Sequence, residues 1–309
     1  PGISSFKRSM LLAFPEWMRE AIVAYVDAMI GLRLIPHRLK RVLIVCIAKE
    51  AGGFRPLSLF EEMLKAVEGI VTRRMTLARA AIGRGRVLSE ANSAYDKGRG
   101  TYYVLNVKAA VLEDAVERGE EVTAVQLDYE GWFDKLSREV AWACMRGRAV
   151  PERVVQLFEE MYTGMENLVA TTSGLTDLFT REGTLGVGQG AVGSPEISKY
   201  AQDPFMRALE GRLHIFKTGD GTAVSHAGYS DDHLVFIKEM VAAGEEFTRV
   251  TGRTLPAICV GIAIKKLTAM SNAMSPREVI IQFVDRAQGG MQEGRVRPTG
   301  FEAVTKLLG

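Results

Sequence analysis

EVTAVQLDYEGWFD (residues 121–134) and HAGYSDDHLVFI (residues 226–237) carry the pattern that sets the architecture of the chain. EVTAVQLD alternates like a strand and ends on a polar tip at Asp128. In the second stretch two short apolar flanks bracket Asp231 and Asp232, which predicts a hairpin with its tip at Ser230–Asp231. Carboxylates at strand ends are held rigidly. Three of them converging can bind two hard cations about 4 Å apart, the arrangement used for in-line phosphoryl and nucleotidyl transfer. Any one of these aspartates alone is an ordinary turn former. Their order and surroundings carry the case.

Toward the N-terminus, Pro15 suits a first helical turn, and Trp17, Ile22, Tyr25, Val26 and Met29 recur at helical spacing up to Gly31. RVLIVCIAKEAGGFRPLSL (41–59) predicts a basic β-hairpin: a strand from Val42 to Ala48, a turn at Gly52–Gly53 and a return strand from Arg55 to Leu57. Ser58 and Glu61 make a capping-box pattern that opens a long helix carrying Lys65, Arg73, Arg74 and Arg79. Helices are expected from Thr101 to Arg118, over 136–147, from Pro151 to Gly164, from Pro195 to Leu213 and over 238–251. LVATTSG and LTDLFTREG predict a hairpin leading into GTLGVGQGAVGSP, and strands are expected near 257–264 and at REVIIQFV.

Five segments in order make the chain resemble the reverse transcriptase family, above all its non-LTR retrotransposon and group II intron branch. IAKEAGGFRPLSL (47–59) is similar to the family's Ile-Pro-Lys, glycine turn and Arg-Pro-Leu-Ser, with Ala48 at the proline. KGRGT (97–101) is similar to Arg-x-Gly-Arg-Ser/Gly-Thr, although Asn92 and Asp96 upstream depart from the pattern. DYEGWFD (128–134) resembles Asp-x-x-x-Ala-Phe-Asp with Trp132 for alanine. GVGQGAVGSP (186–195) resembles Gly-Val-x-Gln-Gly-x-Pro-Leu-Ser-Pro with Val192 and Gly193 for Pro-Leu, and QDPFMRAL (202–209) follows as Asp-Pro-Leu-x-Arg-Ala-Leu. YSDD (229–232) resembles Tyr/Phe-Ala-Asp-Asp.

The resemblance implies an α+β chain: the fingers and palm of a right-hand polymerase, the palm an antiparallel ferredoxin-like sheet packed on helices, the thumb absent. Fingers are expected over 1–120 with the N-terminal helix and basic hairpin, the palm over 121–309, and a fingers-linked helical segment within 136–180. It further implies an RNA-directed DNA polymerase that adds dNTPs to a primer 3′-end with two Mg²⁺ ions, Mn²⁺ being a possible substitute. Asp128, Asp231 and Asp232 are then catalytic and, with the Tyr129 carbonyl, bind the metal. Lys49, Arg55, Tyr129, Phe133, Gln189 and Gly190 bind the nucleotide. Lys49 and Arg55 clamp the triphosphate. Phe133 closes the space a ribose 2′-hydroxyl needs, and Gln189–Gly190 lie against the nascent base pair. Arg73, Arg74, Arg79 and Arg99, in a stretch that also holds Arg84 and Arg86, track template phosphates; a solvated helical face is the bland alternative. GIAIKKLTA (261–269) resembles Gly-Leu-x-Ile-Asn-x-x-Lys-Thr, but its lysines, Lys265 and Lys266, are displaced, which puts a proton-donor role for Lys266 in doubt. VTKLLG (304–309) resembles the opening of the primer grip. The implied partners are an RNA template, a primer, dNTPs and further domains or subunits of a larger ribonucleoprotein. The alternatives are an RNA-dependent RNA polymerase and a catalytically inactive reverse transcriptase-derived RNA-binding scaffold.

Composition agrees. The chain has 309 residues, 47% hydrophobic, enough for a substantial core, in two lobes or one large domain. The formal net charge of +2 hides a split: residues 1–99 hold 17 Lys+Arg against 9 Asp+Glu, and the remainder 22 against 28. A basic first third can neutralise phosphates and an acidic remainder can hold cations. Cys46, Cys144 and Cys259 lie too far apart for a close-spaced zinc motif and are expected to be buried thiols in a reducing, intracellular compartment; nucleus, cytoplasm and organelle are not distinguished. No signal-peptide core or membrane-length apolar run is present, so no membrane partner is expected, and the start at Pro1 suggests a piece of a longer product. The four histidines show no metal spacing, and His233 is expected to be an environment residue.

Overall fold

A computed structural model describes residues 2–300 apart from 5, 51, 95–97, 181–182, 184, 213–215, 239, 259, 264–265, 274–277 and 286–289. Lys97, Lys265, Cys259 and the 304–309 segment therefore lie outside the described residues. The chain opens with Met10–Ala13 (α1) and Glu16–Leu32 (α2), for which Pro15 is the N-cap. Packed on one side only, α2 buries Val26 and Met29 and leaves Trp17 and Tyr25 in solvent, so its apolar stripe is narrower than the spacing predicts. Arg41–Ala48 (β1) and Phe54–Leu59 (β2) form the expected hairpin around Gly52 and Gly53. Those two residues sit at φ 86° and 80°, a region open to glycine at little cost. Because β1 leaves the core toward its tip, Cys46 is exposed rather than buried, while Cys144 is half-buried.

Ser58 does not cap the next helix. It lies inside β2, opposite Ile44, and its N–H donates to the Gln189 carbonyl at 2.8 Å. Glu62–Ile82 (α3) starts behind Glu61, whose carboxylate accepts from the Ser4 N–H. Beyond the break at Gly83 come Arg84–Val87 (α4), Thr101–Glu117 (α5) and Val122–Glu130 (β3). Trp132–Lys135 (α6) and Arg138–Gly147 (α7) follow, the latter capped by the Ser137 hydroxyl, and then Glu152–Tyr162 (α8). Glu166–Thr171 (β4), Gly174–Leu175 (β5) and Phe179–Thr180 (β6) precede Ser194–Arg212 (α9). Phe216–Lys217 (β7) and Ala223–Val224 (β8) pair with each other and lead to His226–Tyr229 (β9) and Asp232–Lys238 (β10). Met240–Ala257 (α10), Gly261–Ile262 (β11), Thr268–Ser271 (β12), Val279–Asp285 (β13) and Gly290–Val296 (β14) complete the order. Neither β12 nor β14 was expected from the sequence. No described helix is long and apolar enough to cross a membrane.

Two five-stranded sheets organise these elements, beside the two-stranded pairs β13–β14 and β7–β8. In the first, in order β2-β1-β4-β5 with β6 also on β4, β4 joins β1 in parallel, Arg41 opposite Glu166 and Val45 opposite Ala170. In the second, in order β11-β3-β10-β9 with β12 also on β3, every pairing is antiparallel. This second sheet is covered on both faces, which is why its central strands read as nearly continuous apolar runs. Val125, Leu127 and Tyr129 of β3 and Val235 and Ile237 of β10 face the main core with α9 and α10. Their neighbours Val122, Ala124, Leu234 and Phe236 face a second cluster under Val111, Leu112 and Ala115 of α5.

Arg79 is not a template contact. It is buried, and its guanidinium meets Glu196 of α9 in a bidentate pair at 3.2 Å. Helical periodicity explains this: Val67, Val71, Met75 and Arg79 share the inward face of α3, whereas Arg73 and Arg74 point outward. Breaking one side of a buried pair leaves an uncompensated charge. Arg79→Ala is therefore expected to lower unfolding free energy in denaturant by about 3–5 kcal/mol, against a change within about 0.5 kcal/mol for Arg73→Ala. Equal effects of the two would refute the assignment.

Candidate active site

The acidic site forms where the α5-facing side of the second sheet runs out from under its helix. Along β3 that face carries Val122 and Ala124, both buried, then Gln126, exposed, and Asp128, half-buried. Along β10 it carries Phe236 and Leu234, buried, and then exposed Asp232. The antiparallel register sets Asp232 directly opposite Asp128, so both carboxylates stand on one face. Asp231 occupies the adjoining turn beside Ser230, which adopts φ 59°. Partial desolvation by the groups around it raises the Asp232 pKa above the ordinary carboxylate value, and the charges of Asp231 and Asp128 raise it further. Lys266 offsets this: its ammonium donates to Asp128 Oδ2 at 2.8 Å, and that bond raises the lysine's own pKa.

The donors gathered here are carboxylate oxygens, the chemistry of a hard divalent cation. Among the described residues no three His, Cys, Asp or Glu side chains already stand close enough to hold an ion. Lys266 occupies one lobe of Asp128 instead.

A buried polar layer fixes the turn from behind. The Gln202 amide donates to the Ser230 carbonyl at 2.9 Å and accepts from Asn92 at 2.8 Å. Ser93 donates twice to the Gly228 carbonyl, and the Gly228 N–H returns a bond to the Ala91 carbonyl. Glycine is required at 228 because a Cβ would fall 2.4 Å from the His233 ring. His233 is buried against Phe205 and shares a 2.5 Å hydrogen bond between its Nδ1 and the Tyr129 hydroxyl. It is thus a structural partner of Tyr129, and burial pushes its pKa down to about 3.

The other expected residues fall on connected elements. Phe133, in α6, is partly buried, and its carbonyl accepts from Val187 N–H at 2.7 Å. Trp132, at the family's alanine, is fully buried with its ring 5.0 Å from Tyr129. Gln189 and Gly190 lie against β2: Ser58 N–H bonds the Gln189 carbonyl, and a Cβ on Gly190, at φ 110°, would strike the Ser58 carbonyl oxygen at 2.7 Å. One run of backbone bonds therefore links the hairpin, the 186–193 loop and the segment after Asp128. Lys49 and Arg55 are exposed near the hairpin tip. Arg73, Arg74 and Arg86 are exposed; the side chain of Arg84 lies outside the described residues. Arg99 is half-buried over the Tyr103 ring and donates to the Glu90 carbonyl.

Sequence reasoning missed Gln202, Asn92 and Lys108. Lys108 lines a cavity of about 140 Å³ with Gln126, Tyr229 and Asp232, where burial lowers its pKa. A glutamine immediately before Asp-Pro was the one available signal for Gln202; Lys108 offered none, being one of several polar residues along α5.

The model of one protein family, "Reverse transcriptase (RNA-dependent DNA polymerase)", matches residues 47–300. Among solved structures, the chain resembles a Candida tropicalis telomerase truncated from its C-terminal domain: TM-score 0.57, 12% identity, 79% of this chain and 53% of the other. A Candida albicans telomerase in complex with a fragment of telomeric RNA gives TM-score 0.55 and 12% identity, over 88% of this chain and 48% of the other. The chain spans about half the length of those telomerase chains, and at this identity the likeness is one of fold. No curated protein matches.

The buried histidines make the site acid-sensitive. His226, bonded through Nδ1 to the Ser225 hydroxyl, has its pKa pushed down by burial to about 4. A base whose folded pKa is depressed contributes stability above its unfolded value of about 6.5, lost as pH falls toward the folded value. Between pH 7 and 4.5, His226→Gln is expected to lose about 2–3 kcal/mol less than the wild type in denaturant unfolding. Parallel losses would show that His226 does not carry the effect.

Proposed function

The chain belongs to the reverse transcriptase family, and from that premise we propose that it is the catalytic core of an RNA-directed DNA polymerase adding dNTPs to a primer 3′-end on an RNA template. What carries the reading is the register that sets Asp128 opposite Asp232 at the uncovered end of β3 and β10, with Asp231 in the turn between β9 and β10. In this reading the second sheet is the palm. The β1–β2–β4 sheet with its helices is the fingers, and the pairing of β4 with β1 supports placing residues 166–180 with them.

Asp128 and Asp231 would hold both cations, with Asp232 assisting and the Tyr129 carbonyl as a further donor. Two Mg²⁺ ions bound there, or Mn²⁺ in their place, would favour the deprotonated primer hydroxyl and neutralise the charge developing on pyrophosphate. The protein's own side chains do the rest. Lys266 keeps Asp128 charge-compensated through its bond to Oδ2. Lys49 and Arg55, exposed on the hairpin, receive the triphosphate, Arg55 by its bidentate fork. Phe133 excludes a ribose 2′-hydroxyl, and Gln189–Gly190 bring backbone against the nascent base pair. Arg73, Arg74 and Arg99 take template phosphates. Further domains or subunits of a ribonucleoprotein complete the assembly, and the exposed thiol of Cys46 suits a reducing, intracellular setting.

Primer extension on an RNA template tests this directly. Asp128→Ala and Asp231→Ala should reduce Mg²⁺-dependent dNTP addition to background while leaving the thermal midpoint within a few degrees; substantial extension by either removes the site assignment. Phe133→Ala should raise ribonucleotide use relative to dNTP by about tenfold or more, and unchanged sugar discrimination would remove its role as a gate. Equal RNA binding by wild type and Asp231→Ala, with no extension by either, would identify an RNA-binding scaffold instead.

A further inference from the structure

A carboxylate that the reaction does not use lies behind the 186–193 loop. Glu68, on α3, is fully buried. Its Oε2 accepts the Val192 N–H at 3.0 Å, the Gly193 N–H also donates to it, and the Tyr162 hydroxyl reaches Oε1 at 3.4 Å. That hydroxyl also lies 3.3 Å from Ser194 Oγ, which donates to the carbonyls of Val187 and Gly188 at 3.0 and 2.9 Å. The loop bearing Gln189 and Gly190 is thereby held to this buried group directly at residues 192–193, while Ser194, beside Tyr162, holds the carbonyls at 187–188.

The loop is shaped to this anchor. A proline at 192, where the family pattern places one, has no N–H to give. A Cβ at 193 would come 3.0 Å from the Phe158 ring and 3.4 Å from Glu68 Oε1, so the space a leucine would claim is taken. Val192 and Gly193 are thus the residue types that admit a buried acceptor at this point.

We propose that Glu68 is a positioning residue for the templated base pair: ionised, it clamps the loop that carries Gln189 and Gly190; protonated, it lets the loop loosen. The proposal rests on the reading of that loop as the base-pair contact. The two N–H donors bond the ionised carboxylate more strongly than the protonated acid, because charge-assisted hydrogen bonds are about twice as strong as neutral ones. Burial pushes the Glu68 pKa up to about 7, against the opposing pull of the Val192, Gly193 and Tyr162 hydrogen bonds and the Lys65 charge. The groups facing it are Tyr162 from α8, Ser194 from the start of α9, and Lys65 one turn back on α3, itself paired to Glu62. With the folded pKa raised, the clamping form is full near pH 8 and is lost as pH falls through about 7.

The amide resonances of Val192 and Gly193 in the isotope-labelled wild-type chain read this without any catalysis. They should titrate together with a midpoint near pH 7, and Glu68→Gln should abolish the transition. Flat amide shifts between pH 6 and 8 in the wild type overturn the proposal, and that measurement needs no variant to fold. In primer extension, lowering pH from 8 to 6 should raise the wild-type KM for dNTP about fivefold more than that of Glu68→Gln, the scale of one weakened charge-assisted hydrogen bond, with parallel kcat profiles. Identical KM profiles would overturn the role in positioning the base pair. Titrating amides in a chain that extends no primer would uphold Glu68 as the loop's anchor while overturning the polymerase reading.

Discussion

Two like charges held face to face are the constraint on which the rest of the molecule turns. The β3–β10 ladder puts Asp128 opposite Asp232, a cross-strand pairing that is unfavourable in itself, with Asp231 adding to the repulsion. Nothing local keeps such a pair together; the surrounding structure must over-determine it. Seven paired positions of strand ladder, an apolar cluster on each sheet face and an amide clamp on the Ser230 carbonyl do so. Lys266 then reduces the repulsion from the open side.

That arrangement explains why polar groups are concentrated beneath the turn rather than spread through the core. Asn92, Ser93, Gln202, His226 and His233 are all buried within a short reach of β9 and β10. Apolar packing alone sets position loosely along a strand, whereas directional hydrogen bonds to backbone carbonyls fix a turn in one geometry. The same device recurs at the 186–193 loop, where Ser58, Ser194 and Glu68 grip backbone groups from different sides.

How much of this was legible in the sequence follows from which physics each residue obeys. The basic hairpin, the YSDD hairpin and the strand leading to Asp128 were readable, because alternation and turn chemistry are local and near neighbours decide them. The glycine loop was readable as a loop, but not its seating on β2, which rests on Ser58, a residue whose spacing to Glu61 imitates a helix cap. Arg79 read as a phosphate contact because charge in sequence says nothing about which helical face it occupies; only its spacing of eight and four residues from Val71 and Met75 hinted at burial. Trp17 and Cys46 erred the other way, apolar residue types left in solvent where their elements run past the core. Glu68 could not be found at all, since the backbone group it holds, Val192 N–H, lies 124 residues away, and Gln202 offered only its place before Asp-Pro.

The parallel pairing of β4 with β1 reaches furthest in another direction. Arg41 and Glu166 are neighbours in space yet stand 125 residues apart in the chain. A ribosome releasing this polypeptide would expose the N-terminal hairpin, with β1 lacking its partner on one edge, well before the strand that covers that edge is made. Such non-local closure is slow and leaves an unpaired edge open to other chains in the interval. The piece before β4 is thus half of a sheet awaiting its complement, and the order of synthesis, as much as the finished contacts, sets the hazard of making this protein.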